Sequence, residues 1–201
     1  MANCCNDSAC EIEKLRERQY GTLKWVLAIN LLMFLVEITA GILASSTALL
    51  ADSLDMLGDS IVYGFSLYVV ARSVRWKAIS AMVKGSIMAG FGLFVLGQAA
   101  YKLVFPAVPT YELIGIFGLL ALVANSICLL LLWKHRSEDI NMKSVWICSR
   151  NDIIANSSVL VAAVGVWLTQ NQWPDIVIGV AIAFLFLRSS FYVIKEAKSL
   201  S

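Results

Sequence analysis

Three aspartates on one face of an apolar segment are the residues of this sequence best placed to do chemistry. They stand in Leu49-Leu50-Ala51-Asp52-Ser53-Leu54-Asp55-Met56-Leu57-Gly58-Asp59-Ser60. At the helical repeat, positions 52, 55 and 59 fall within about 60° of one another. A carboxylate at the centre of a bilayer costs roughly 2.5–3.5 kcal/mol on insertion scales, so three on one stripe do not face lipid. They line a cavity, meet a cation, or both. A second group follows at Cys148-Ser-Arg-Asn-Asp152, where a thiol and a carboxylate stand at i and i+4. Carboxylates and a thiolate together are donors for a divalent cation.

The elements that must position these groups follow from composition. The chain is 59% apolar and 15% charged, with a mean hydropathy of +0.76, which places it in the membrane class. Apolar runs of roughly 20 residues predict six transmembrane helices, over 24–44, 48–71, 79–104, 113–133, 143–168 and 175–194. The expected fold is therefore an all-α membrane protein of six transmembrane helices. Residues 1–23 form a polar tail and charged helix, residues 24–194 the transport domain, and residues 195–201 a short tail. The polar stretch before the first apolar run argues against a signal peptide.

Basic residues set the orientation. Lys14, Arg16, Arg18 and Lys24 precede the first span, Arg72, Arg75 and Lys77 follow the second, Lys134 and Arg136 follow the fourth, and Lys195 and Lys198 follow the sixth. Lys102 alone lies toward the other side. Both termini are expected to be cytoplasmic. The net charge of +2 gives no reason to expect a nucleic-acid partner.

Of the five cysteines, Cys4, Cys5 and Cys10 lie in the tail, which is expected to be disordered over residues 1–10. On the cytoplasmic side they stay reduced, and they are candidates for capturing a soft metal ion. Cys128 reads as packing. In the first span Asn30 and Glu37 share a face; interhelical hydrogen bonding is the favoured role, with a direct cation role as the competing one. In the fifth span Cys148, Asp152 and Asn156 share a face and Arg150 points roughly oppositely; the competing expectation is that Arg150, standing between two candidate ligands, neutralises one of the acidic groups. His135, the single histidine, reads as solvated surface. Ala81, Gly85 and Ala89 form a small-residue ladder that permits close helix contact within or between subunits, including a homodimer through transmembrane helices.

If all six spans cross, the second and fifth run antiparallel. Asp55 then meets Asp152, and Asp59 meets Cys148. Four donors in two rungs suit a tetrahedral ion such as zinc. The competing reading is a proton-sharing cluster that holds no metal. Asp52, Glu37, Asn30 and Asn156 are candidates for supporting the site or lining its pathway.

At these residues the sequence resembles the cation diffusion facilitators, six-span exporters of zinc and cadmium. The matching positions are Asn30, Phe34, Glu37 and Gly41; Ala48-Leu-Leu-Ala-Asp52 with Asp55 and Asp59; Asn125; Asn141 with Cys148 and Asp152; and Trp173-Pro-Asp175. The resemblance implies that Asp55, Asp59, Cys148 and Asp152 hold the transported ion. Aspartate and cysteine stand here where the family often carries histidine. The cytosolic ferredoxin-like domain that usually follows the sixth span is not found, so the chain reads as a short form.

The charge balance suggests how transport would run. Three carboxylates and a thiolate sum to −4, and a divalent ion brings this only to −2. Repulsion and desolvation favour protons on the empty site. Metal entering from the cytoplasm displaces them, and protons entering from outside then expel the metal. The expected function is zinc or cadmium efflux across a bacterial cytoplasmic membrane by metal/proton antiport. The metal is substrate, and no cofactor is expected. The alternative is a non-transporting membrane protein that passes soft metal to a partner transporter. No nucleotide loop, nucleophile–base pair or metalloprotease helix marks the chain as an enzyme.

Overall fold

A computed structural model describes residues 4–69, 74–136 and 140–199. The side chains of Cys4, Cys5, Cys10, Lys84, Asn141 and Cys148 fall outside the described residues. Within them the fold is helical throughout: α1 (Cys4–Ala44), α2 (Thr47–Val69), α3 (Val74–Val104), α4 (Tyr111–Trp133), α5 (Ile140–Thr169) and α6 (Trp173–Ser199). Each helix contains its predicted apolar run except at the far end of the second, where residues 70 and 71 lie outside the described residues. The first differs most at its start. Residues 4–10, expected to be disordered, are the opening turns of α1. The alternating Glu and Lys/Arg at the start of residues 11–24 offer opposite charges at i,i+3, as in Glu11/Lys14, Glu13/Arg16 and Lys14/Glu17, so nothing interrupts the helix ahead of its apolar part.

Five of these helices are long and apolar enough to cross a membrane: Arg18–Ala44, Gly85–Val104, Tyr111–Trp133, Asp152–Thr169 and Trp173–Tyr192. α2, at 23 residues, has the length of about 34 Å, but its aspartates lower its hydropathy. Packing compensates. α2 lies against α1, α3, α5 and α6, and its Met56 and Tyr63 share apolar clusters with Ala121, Cys128 and Leu132 of α4. Every residue from Thr47 to Leu54 is buried. The polar helix is thus the centre of the bundle. The outer helices turn Leu43, Leu130, Leu168 and Phe191 outward, as a lipid-facing surface requires.

α1 ends in a Schellman turn. The Ser46 N–H donates to the Gly41 carbonyl at 3.0 Å and the Ser45 N–H to that of Ile42 at 3.2 Å, with Ser45 in the left-handed region at φ 51°. This turn drops the chain directly into α2. Close approaches then hold α2 in place: a Cβ on Gly179 of α6 would lie 3.0 Å from the Thr47 backbone carbon. Gly179→Val is expected to cost about 1–3 kcal/mol through overpacking. A lowered thermal midpoint of the purified protein checks this, and an unchanged midpoint would show that α6 and α2 are free to part.

Of the small-residue ladder of α3, Gly85 makes contact inside the chain, and so does Gly92 beyond it. A Cβ on Gly85 would lie 2.7 Å from Ile194 Cγ1, and one on Gly92 would lie 3.1 Å from the Ala183 carbonyl oxygen. The Ser190 hydroxyl donates to the Gly85 carbonyl at 2.6 Å. α6 therefore packs closely on α3 at these two positions.

Candidate metal site

The carboxylates sit where the central helix is enclosed. Asp52 is 1% exposed and Asp59 9%, while Asp55 is half-buried. Each belongs to the one stripe that the 3.6-residue repeat predicts. α5 lies beside α2 and contributes Asp152, 8% exposed. Asp55, Asp59 and Asp152 are each engaged by partners within the structure. One of these contacts joins the Tyr63 hydroxyl to Asp59 Oδ2 at 3.4 Å, a long bond within a single helix.

Around this row the buried polar groups have a common character. Asn30 donates from Nδ2 to the Val26 carbonyl at 2.9 Å, and Asn156 donates from Nδ2 to the Asp152 carbonyl at 2.7 Å. Each amide uses its N–H on its own helix, and its oxygen is left over. Among the described residues Asn30 Oδ1, Asn156 Oδ1, both Glu37 oxygens and Asp52 Oδ2 are buried without a donor. Unmatched acceptors in a protein interior carry a desolvation cost, and a cation or a proton relieves it. The favoured expectation for Asn30 and Glu37 was interhelical hydrogen bonding. Asn30 meets it through its second contact, from Nδ2 to the Cys128 sulfur of α4 at 3.7 Å.

The described residues gather no group of three or more His, Cys, Asp or Glu side chains fit to hold a metal ion. The Cys148 side chain is outside them, and the pairing of Asp59 with Cys148 falls there too. The tail thiols are likewise outside. Arg150 turns away as its position predicted: it is exposed, and its guanidinium lies 5.6 Å from the Trp146 ring centroid. His135 departs from the expectation of open surface. It is half-buried, with Nε2 3.3 Å from the Thr22 hydroxyl, joining α1 to the turn after α4.

Two further features escaped the sequence reading. Cys128 is fully buried and near enough to Asp59 to feel its charge, so it borders the acidic row as well as packing. At the opposite end of the bundle from His135, Asp175 of α6 acts as a cap for α2. Its carboxylate accepts the Thr47 N–H at 2.7 Å, the Ala48 N–H at 3.1 Å and the Ser46 hydroxyl. An anion at a helix N-terminus is favoured by the unpaired N–H groups and the dipole. Lys102 of α3 completes the group, 2.9 Å from Asp175 Oδ2 and also bonded to the Ser45 carbonyl. A cap supplied from another helix leaves no local signal; the isolated Lys102 was the one clue.

Comparison with known proteins agrees with this architecture. Residues 23–200 match the cation efflux transmembrane domain. Among similar proteins is the cation efflux system protein CzcD of Alcaligenes sp. (strain CT14), 24% identical over 190 residues covering 88% of this chain and 60% of that protein. The zinc transporter ZitB of Yersinia pestis is 27% identical over 188 residues, covering 85% and 59%. The cadmium, cobalt and zinc/H(+)-K(+) antiporter of Bacillus subtilis (strain 168) is 25% identical over 199 residues, covering 88% and 63%. The chain spans about three-fifths of the length of these relatives.

Proposed function

We propose a function from a settled premise, that this chain belongs to the cation efflux transmembrane-domain family: it exports a divalent ion of the zinc and cadmium kind from the cytoplasm in exchange for protons. It is an integral membrane protein of the bacterial inner membrane, and a secondary transporter rather than an enzyme. The observation that carries the reading is the enclosed acidic helix. Asp52, Asp55 and Asp59 lie on the helix at the centre of the bundle and Asp152 is buried on the adjoining α5, in an interior that also holds buried oxygens lacking donors. Such an interior repels anions and favours cations. The names of the relatives, which include a zinc transporter and a cadmium, cobalt and zinc/H(+)-K(+) antiporter, support the same class.

In this reading all six helices cross, with α2 sheltered by the others and both termini on the cytoplasmic side. The ion is held by Asp55 and Asp59 of α2 and by Cys148 and Asp152 of α5. Its ligands must lose protons to bind it, so metal entry and proton exit are linked. Rocking of helices about the fixed site would supply alternating access.

Selectivity tests the site most directly. A thiolate favours cadmium and zinc over manganese, which prefers oxygen. Cys148→Asp is expected to move the cadmium-to-manganese ratio of initial uptake toward manganese by roughly tenfold, about 1.4 kcal/mol of differential binding. Sealed vesicles bearing wild type, Cys148→Ala and Cys148→Asp provide the measurement. The same ratio in all three would remove Cys148 from the ligand set. Metal binding by wild type without flux would replace export by a storage or delivery role.

A further inference from the structure

Glu37 and Asp52 stand apart from the four proposed ligands and raise a separate question. They come from α1 and α2, which pack along each other. Glu37 is 0% exposed and Asp52 1%, and their carboxyl groups meet at hydrogen-bonding range. Yet both Glu37 oxygens and Asp52 Oδ2 have no donor among the described residues. Ionised carboxylates have only acceptor oxygens, so two of them cannot bond each other unless one carries a proton.

Among the described residues no donor reaches these oxygens. Cys128 of α4, Asp152 of α5, Lys102 of α3 and Asp175 of α6 are buried titratable groups on the neighbouring helices. Of these Lys102 is the cation, and it is held by Asp175 at the end of the bundle. Besides Asp52, the charge that reaches Glu37 is that of Asp55 on the same α2 stripe. Two like charges in an apolar setting at such range do not both persist; sharing one proton is the known resolution for carboxylate pairs.

We infer that Glu37 and Asp52 form a proton-sharing carboxyl pair, a proton-binding site distinct from the metal ligands. The inference deepens the proposed exchange and rests on it, because it says where one of the exchanged protons resides. In the metal-free protein an O–H of one carboxyl bonds the oxygen of the other. A divalent ion at Asp55 favours the ionised pair, the O–H bond breaks, and the proton passes to water with no change of oxidation state. Return of a proton to the pair weakens the hold on the ion by the same linkage.

Infrared spectroscopy of the purified full chain reads this site without transport. Metal-free wild type at neutral pH should show the C=O stretch of a protonated carboxylic acid, shifted in D2O. The pair's share of the band should be missing in Glu37→Gln/Asp52→Asn, leaving only what protons on the empty metal site contribute. Glu37→Gln alone should lose the same share, since the amide N–H supplies the donor the pair lacks, and this single variant serves if the double one fails to fold. Absence of the band from wild type, or its full persistence in the variants, overturns the pair. Cadmium binding measured in buffers of different ionisation heat gives the second test: the variant should bind cadmium and release one proton fewer per ion. An equal proton count overturns the proposal. If wild type binds no cadmium, the metal-site reading fails by itself, and the infrared difference still decides the pair.

Discussion

Asp59→Ala and Asp152→Ala are each expected to abolish cadmium and zinc flux into sealed vesicles while leaving membrane insertion intact. Loss of a direct ligand should lower metal affinity by at least about a hundredfold, since even residues outside the ligand set typically cost 10–100-fold. Insertion should if anything improve, because each carboxylate weighs against the membrane by roughly 2.5–3.5 kcal/mol. Both residues are buried on facing helices, so the change removes charge from the interior and not from a surface. Flux assays beside quantified membrane protein separate the two effects. Robust transport by either variant would remove the acidic row from the ion pathway.

Asp175→Ala is expected to show the largest loss of stability, about 3–5 kcal/mol. The carboxylate holds two backbone N–H groups of α2, the Ser46 hydroxyl and the Lys102 ammonium. Truncation uncaps a buried helix end, worth about 1 kcal/mol, and strands a lysine inside the protein. The second effect is the greater. Asp175→Ala/Lys102→Met should therefore recover much of the loss, because removing both members of a buried pair costs far less than removing one. Thermal unfolding of the single and double variants in detergent decides it. A single variant as stable as wild type would mean that water or another group already satisfies Lys102.

The helices were legible in the sequence because each carries about 20 apolar residues, and nothing but burial in lipid or protein explains so many. The burial of the aspartate stripe was equally legible: the cost of carboxylates in lipid forced residues 52, 55 and 59 inward before any partner was known. Helix order around α2 was partly readable. Crossing of all six spans would set α2 and α5 antiparallel, but neither their contact nor that of Met56 and Tyr63 with α4 had a local signature. Capping of α2 by Asp175 was invisible for a physical reason. Local motifs reveal caps within three or four residues, whereas this carboxylate stands 129 positions from Ser46. Cys128 was read as packing because a free cysteine is usually that, and only its neighbour Asp59 gives it a second aspect.

The enclosure of α2 also bears on how the chain is made. A translocon releases a segment sideways when lipid suits it, and α2 with its three aspartates suits lipid poorly. Its shelter comes largely from helices not yet synthesised: α2 ends at residue 69, and α6 ends at residue 199. At common elongation rates of 5–20 residues per second, that gap lasts roughly six to twenty-six seconds. Through this interval the nascent α1–α2 hairpin must stay beside the insertion machinery, with Asp52, Asp55 and Asp59 screened by it in place of α5 and α6. A ribosome halted after α4 would strand these carboxylates at the edge of the bilayer, an intermediate open to membrane proteases that the finished bundle denies them.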